Sequence, residues 1–279
     1  MAIPSVQMSN GLQMPQFGFG TYKVDPQDAT ALVRIALEMG IYHIDTAQMY
    51  GNEKQVGQAL VDYPREDLFI TTKLNNHLHE RADATASLDR SLADLGVDYV
   101  DLFLIHWPMV KRYGGNYPQA WQNMLDFQAD GRARTVGVSN FEGEHLDRLR
   151  SEVGTLPTVN QIEIHPYFAN RELVDYCQER GITVQAWSPL GRGVCLKDPV
   201  IGEIAAQVER TPAQVTLRWN IQRGIVVFPK ASTKERIAEN AGIFDFELTD
   251  TQMDRIFALD RGEDGRQGSV PNTMDYWPA

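Results

Sequence analysis

The sequence predicts an α/β fold, an eight-stranded (β/α)8 TIM barrel with a short N-terminal β-hairpin and an extra C-terminal helix and loops. Two observations support this prediction. Eight short apolar runs alternate with segments of helical spacing along the 279 residues, and polar or aromatic residues follow nearly every run. Near-continuous apolarity is typical of parallel strands covered on both faces. Because such barrels reach about 250 residues as one unit, we expect a single domain over residues 1–279.

The predicted strands are short and mostly aliphatic, and the first of them is the weakest. In chain order they are Phe17–Gly20, Tyr42–Asp45, Leu68–Lys73, Tyr99–His106, Ala133–Ser139, Thr158–Ile162, Ile182–Trp187 and Ile225–Phe228.

The segments between the strands carry helix signals. Apolar residues at 29, 32, 33, 36 and 37 share one helical face, and Gly40 ends that helix. Thr211 followed by Pro212 is typical of a helix N-terminus, and Gly224 of the following end. Ahead of the first strand, the turn at residues 9–11 predicts a hairpin that closes the bottom of the barrel.

Composition excludes several classes of protein. The formal net charge of −11 disfavours binding to nucleic acid or to anionic membranes. Two cysteines cannot build a disulfide framework, which favours a reducing, cytoplasmic location. The first residues lack the features of a signal peptide, and no apolar run is long enough to predict a membrane span.

Polar residues gather where the predicted strands end. Active sites of α/β barrels lie at the carboxyl ends of their strands. Each such residue has an ordinary structural explanation when it is taken singly, as a helix cap, a solvated lysine or a core histidine, but their convergence on one rim indicates a site. The rim residues are Asp45, Tyr50, Lys73, His106, Ser139, Asn140, Gln161, Trp187 and Lys230.

These residue types suit the transfer of a hydride and a proton to a carbonyl. Tyrosine has an unperturbed pKa of about 10, and we expect the Lys73 ammonium to lower the pKa of Tyr50. Asp45 would pair with Lys73, and His106 would orient the substrate oxygen. Trp187 offers a flat face for a nicotinamide ring, beside amide and hydroxyl groups suited to its carboxamide.

Several ordered motifs resemble the aldo-keto reductase family. They span most of the chain, from residue 18 to near its end. The quoted segments are 45–57 (DTAQMYGNEKQVG), 71–73 (TTK), 98–108 (DYVDLFLIHWP), 136–141 (VGVSNF), 160–166 (NQIEIHP) and 187–191 (WSPLG). In overall appearance the chain is similar to the bacterial 2,5-diketo-D-gluconate reductase branch.

The resemblance implies a catalytic tetrad, with Tyr50 as proton donor beside Asp45, Lys73 and His106. It also implies an NADPH-dependent reductase of aldehydes, ketones or dicarbonyls, with NADH less favoured, no metal and a monomeric state as expectations. The implied cofactor contacts are Gly20, Thr21, Ser139, Asn140, Gln161, Trp187, Ser188, Leu190, Gly191, Lys230, Ser232, Arg236, Glu239 and Asn240. Tyr22 and Trp107 match substrate-pocket positions.

One motif departs from the family pattern. Ala231 stands where a hydroxyl residue usually follows the proline and lysine, and Ser232 or Thr233 is the candidate replacement. Arg236 and Lys230 still provide the cations that a 2′-phosphate requires.

Four other interpretations stay open at this point. A Rossmann fingerprint at 18–23 lacks its third glycine. A metal site at His77 and His79 lacks further ligands. A lyase using Lys73 or Lys230 as a Schiff-base amine is another alternative, and a nicotinamide-sensing regulatory subunit is the non-enzymatic one. The pocket loops are expected at 75–80, 109–117 and 261–277.

Overall fold

Ten strands and ten α-helices make up the protein in the computed structural model, which describes residues 3–276. The strands are β1 Ser5–Gln7, β2 Gln13–Pro15, β3 Phe19–Gly20, β4 His43–Asp45, β5 Phe69–Leu74, β6 Val100–Ile105, β7 Ala133–Ser139, β8 Val159–Glu163, β9 Thr183–Trp187 and β10 Val226–Val227. The helices are α1 Pro26–Glu38, α2 Glu53–Leu60, α3 Arg81–Leu95, α4 Tyr117–Ala129, α5 Gly143–Val153, α6 Arg171–Glu179, α7 Pro199–Gln207, α8 Pro212–Gln222, α9 Lys234–Ala241 and α10 Asp250–Phe257.

Strands β3 to β10 form one parallel sheet in strict chain order. The sheet closes because Phe17 forms a parallel bridge with Val227, where the Gly18 amide donates to Val227 O at 2.8 Å. All eight predicted barrel strands are present, each within a few residues of its expected bounds. The sequential order confirms the barrel and excludes the reversal of strand order that a Rossmann sheet requires.

The helix signals also agree with the structure. The apolar face predicted for α1 is buried, and the chain turns at Gly40 with φ of 80°. At the start of α8, the Thr211 hydroxyl accepts a hydrogen bond from the main-chain N–H of Gln214. The Gln214 side-chain oxygen accepts in turn from the main-chain N–H of Thr211, which completes a capping box. The extra C-terminal helix is α10, which packs on α7. No helix within residues 3–276 is long and apolar enough to cross a membrane.

The N-terminal hairpin β1–β2 closes one end of the barrel, as predicted. Met8 and Met14 are buried against Phe69 and Leu102 of the barrel interior, and Asn10 donates to Thr135 Oγ1 at 2.9 Å near the start of β7. With this end filled, the carboxyl ends of the strands are the open end.

Candidate active site

A cavity of about 720 Å³ opens at the carboxyl ends of the strands. It brings together most of the residues that the sequence predicted for the site. The predicted residues that line it are Gly20, Tyr22, Asp45, Tyr50, His106, Trp107, Ser139, Asn140, Gln161, Trp187, Ser188 and Lys230.

Lys73 and Asp45 form a buried ion pair at the base of this cavity. The Lys73 ammonium donates to both Asp45 oxygens, at 2.8 and 3.0 Å, and to Thr46 O at 2.9 Å. Lys73 has no solvent exposure. Burial lowers the pKa of Lys73, and the Asp45 carboxylate opposes that shift. Since all three ammonium hydrogens are used inside the barrel, Lys73 is poorly placed to be the Schiff-base amine of a lyase.

Tyr50 lies above this ion pair, at the end of a short 3-10 helix, Gln48–Tyr50. The Lys73 nitrogen is 5.0 Å from the Tyr50 ring centroid, and the His106 ring stands edge-on to it at 5.9 Å. The phenol, the ammonium and the imidazole of the predicted tetrad therefore meet in one place.

The expected acidification of Tyr50 is wrong for the protein as described. Burial, followed by the Asp45 and Tyr22 charges, raises the pKa of Tyr50 well above its ordinary value. Lys73 faces the ring, and its charge is balanced by Asp45 at short range. Tyr50 therefore keeps its proton at neutral pH, as a proton donor must.

His106 is neutral for a similar reason. It is 9% exposed directly after β6, where burial and then the Lys73 charge lower its pKa well below the ordinary value. A neutral imidazole carries one N–H and one lone pair. His106 can therefore donate a hydrogen bond to a substrate oxygen without bringing a positive charge.

An amide network forms the wall beside the tetrad. Gln161 donates to Asp45 Oδ2 and to Gln185 Oε1, both at 2.9 Å. Asn140, with φ of 63°, donates to His106 O at 2.9 Å and accepts from Trp187 Nε1 at 2.8 Å. These bonds fix the Trp187 indole and use both N–H donors of Gln161, which leaves its oxygen as an acceptor for a ligand.

Some predicted cofactor residues do not line the cavity. Thr21 is fully buried and donates from its hydroxyl to Asp45 O at 3.1 Å, so it supports the ion pair. Thr233 caps α9 by accepting from the Arg236 amide at 3.3 Å, and Ala231 packs in the core. The other predicted residues outside the cavity lining are Leu190, Gly191, Ser232, Arg236, Glu239 and Asn240.

The sequence predicted that the loop 261–277 would form part of the pocket, but it named no individual residue there. A C-terminal segment contributes Gln267, Gly268 and Ser269, and Met274 and Tyr276 follow. This segment belongs to the predicted loop 261–277, whose last residue lies outside the described range. Elsewhere in the lining, the residues without a predicted role are Met49, Pro189, Arg192 and Phe228.

The cavity fits an anionic dinucleotide. Two cations of the lining, Lys230 and Arg192, form no salt bridge with any acidic group of residues 3–276, and neither does Arg236 outside the lining. Gln267 Oε1 is a buried oxygen without a hydrogen-bond partner in the described part of the chain. Unpaired cations and an unsatisfied acceptor beside a flat indole are features that such a ligand would complement.

The comparison with protein families agrees with this geometry. The model of the Aldo/keto reductase family matches residues 14–261. The chain belongs to the aldo/keto reductase family. The resemblance predicted from the motifs is thereby confirmed, and the protein is an oxidoreductase of this family.

Similar proteins match nearly the whole chain. An aldo-keto reductase of Mycolicibacterium smegmatis is 44% identical over 98% of both chains. Glyoxal reductase of Bacillus subtilis is 41% identical over 97% of both chains. Among solved structures, a variant of Gox0644 in complex with NADPH has a TM-score of 0.95 and 38% identity, covering 99% of this chain and all of the other.

Proposed function

We propose that this protein reduces small polar aldehydes, ketones and dicarbonyls to alcohols with NADPH. One observation carries the proposal: a single cavity presents the Tyr50 phenol and the His106 imidazole beside the Trp187 face, above the buried Lys73–Asp45 pair. The NADPH complex of the similar Gox0644 variant and the name of the similar glyoxal reductase support the same reaction class.

The cofactor would lie across the rim and supply the hydride when it is bound. Trp187 would stack on the nicotinamide, and Ser139, Asn140 and Gln161 would hold its carboxamide. Ser188, Leu190 and Gly191 would contact the pyrophosphate. Lys230, with Arg236 and Ser232, would receive the 2′-phosphate, which favours NADPH over NADH. Glu239 and Asn240 would face the adenine, and Gly20 of the lining would lie beside the cofactor.

Tyr50 would deliver the proton. An alkoxide is a much stronger base than a phenolate, so proton transfer from a protonated tyrosine to the reduced substrate is favourable. As Tyr50 loses its proton, the Lys73 ammonium 5.0 Å from its ring centroid would stabilise the phenolate. Asp45 holds that ammonium in place through two hydrogen bonds.

His106 would position the carbonyl. Its neutral ring can donate an N–H to the substrate oxygen, which is the atom where negative charge develops. Asn140 bonds to the His106 carbonyl, so the backbone that carries the imidazole is fixed. Orientation and charge stabilisation would therefore come from one residue whose own charge state does not change.

The substrate would enter between Tyr22 and Trp107. Tyr22 packs against Tyr50 with ring centroids 5.0 Å apart and ring planes tilted by 50°, and Trp107 joins a small apolar cluster with Met109 and Met274. The entrance to the cavity therefore combines apolar and aromatic side chains with the polar Tyr50 and His106. This combination suits a short polar dicarbonyl, with 2,5-diketo-D-gluconate as one candidate of that class. The expected monomeric state is part of this proposal.

A carbonyl panel with Tyr50→Phe tests the function. NADPH oxidation is followed by absorbance with glyoxal, methylglyoxal, 2,5-diketo-D-gluconate and simple aldehydes, beside a NADH control. We expect Tyr50→Phe to lower kcat by about 10²–10⁴-fold, since it removes the proton donor, and to leave the Kd for NADPH within about 2-fold.

Tyr63 gives a matched control, because its half-buried phenol lies outside the cavity lining. Tyr63→Phe should reduce carbonyls at the wild-type rate. Turnover by Tyr50→Phe close to that of Tyr63→Phe would contradict the mechanism. Tight NADPH binding without reduction of any carbonyl in the panel would favour the nicotinamide-sensing role over the reductase.

A further inference from the structure

The C-terminal segment 266–269, here called the strap, crosses beside the Trp187 indole. It follows a short 3-10 helix, Gly262–Gly265, and three of its residues line the cavity. Gln267 also donates from its side chain to Gly191 O at 3.0 Å, which ties the strap to the loop after β9. The strap is therefore part of the wall that would face a cofactor.

A buried carboxylate holds the strap. Glu163 ends β8, and its side chain is 1% exposed. Its Oε1 accepts from the main-chain N–H of Gln267 at 2.8 Å, and its Oε2 accepts from the main-chain N–H of Gly268 at 2.9 Å. The same Oε1 also lies 3.1 Å from His165 Nε2. Hydrogen bonds to a carboxylate are shorter and stronger than those between neutral groups, so Glu163 fixes two consecutive strap peptides.

The same anchor brings the strap into close contact with Trp187. A Cβ atom at position 268 would overlap Trp187 Cη2, and it would lie 3.1 Å from Trp187 Cζ2 and 2.9 Å from Glu163 Oε2. Only glycine leaves room for the indole at this approach. The pyrrole end of the indole is held by the bond from its Nε1 to Asn140 Oδ1 at 2.8 Å.

We infer that Glu163 and Gly268 are positioning residues that set the plane of Trp187 for the nicotinamide ring. The inference rests on the proposed function, because that function assigns the Trp187 face to the nicotinamide. The indole is held at two points, by Asn140 at its Nε1 and by the strap at Cη2 and Cζ2 of its six-membered ring. A stacking surface fixed in advance costs less ordering when the ligand binds.

Gly268→Ala tests this clamp through binding alone. Calorimetric titration gives the Kd for NADPH and for 2′,5′-ADP, which carries the 2′-phosphate but no nicotinamide. Stacking of aromatic groups contributes about 0.5–1.5 kcal/mol. We therefore expect Gly268→Ala to raise the Kd for NADPH by about 3- to 10-fold and to change the Kd for 2′,5′-ADP by less than about 2-fold.

Gly202→Ala is the matched control. Gly202 lies in α7 with open space around its Cβ position, and its replacement should leave both dissociation constants unchanged. Glu163→Gln should act in the same direction as Gly268→Ala, because an amide nitrogen cannot accept the hydrogen bond that one carboxylate oxygen now receives.

A Trp187→Phe background makes the test specific. Phenylalanine lacks Cη2, so adding Gly268→Ala to Trp187→Phe should change NADPH affinity by less than about 2-fold. Three results would overturn the inference: an unchanged NADPH Kd in Gly268→Ala, an equal loss for both ligands, or a full penalty in the Trp187→Phe background. Failure of the wild-type protein to bind NADPH would instead refute the proposed function.

Discussion

Replacing Asp45 by asparagine should strongly destabilise the fold, because it leaves a buried ammonium without its counter-charge. Lys73 has no exposed surface, and its nitrogen lies 2.8 Å from Asp45 Oδ1. At an effective dielectric constant of about 20, the gross attraction between unit charges at that separation is about 6 kcal/mol. Desolvation offsets part of this, and removal of one partner of a buried pair typically costs about 3–5 kcal/mol.

Urea unfolding followed by circular dichroism measures this loss for Asp45→Asn at pH 7. Asp62→Asn is the matched control, since Asp62 pairs with Arg34 at 3.5 Å on the exposed surface and such pairs contribute about 0–1 kcal/mol. If Asp45→Asn lowers the free energy of unfolding by less than about 1 kcal/mol, as expected for Asp62→Asn, then Lys73 is not a charged buried group.

The pH dependence gives a second check on the same pair. The pKa of Lys73 is lowered in the folded state, so between that pKa and the unfolded value the unfolded chain binds more protons. Stability therefore rises with pH through this window. Since the Asp45 charge opposes the lowering of the Lys73 pKa, Asp45→Asn should lower that pKa further and extend this pH window to lower pH. Adding Lys73→Met should recover part of the lost stability, since no buried charge then remains unpaired.

Two further predictions concern the cofactor phosphate and a helix cap. Arg236→Ala should raise the Kd for NADPH by about 10- to 100-fold, since a hydrogen bond to a charged group contributes about 1.5–3 kcal/mol, and should raise the Kd for NADH by less than about 2-fold. Equal losses of affinity in the two titrations would contradict a 2′-phosphate contact. Thr211→Ala removes the acceptor for the Gln214 amide and should lower the free energy of unfolding by about 1 kcal/mol; an unchanged urea midpoint would show that the capping box adds nothing.

The barrel, and the convergence of the four proposed catalytic residues at one rim, could be predicted from the sequence because parallel strands share one carboxyl edge. Apolar runs located the strands, and the residues after them, such as His106, had to meet at the rim. Strands β3 and β10 are shorter than predicted, since regular strand pairing there is limited by the tight closure at Phe17 and Val227.

Other properties depend on packing that no pattern encodes. The direction of the Tyr50 pKa follows from its surroundings in the folded barrel, where burial is the largest cause that raises it and the Asp45 charge adds to that shift. The role of Glu163 was also missed, although it lies in a quoted motif, because its partners are strap amides about a hundred residues later. The strap has no periodicity that would indicate a contact with Trp187.

The seam that closes the barrel has a consequence for biosynthesis. The Gln16 side chain donates to Ile221 O, 205 positions later. The adjoining main chain at Phe17 can pair only once Val227 has been made. At about 5–20 residues per second, a ribosome needs roughly 10–40 s to add that length. Throughout this interval the first barrel strand has only one neighbour, so its free edge can pair with wrong partners until residue 227 has been synthesised.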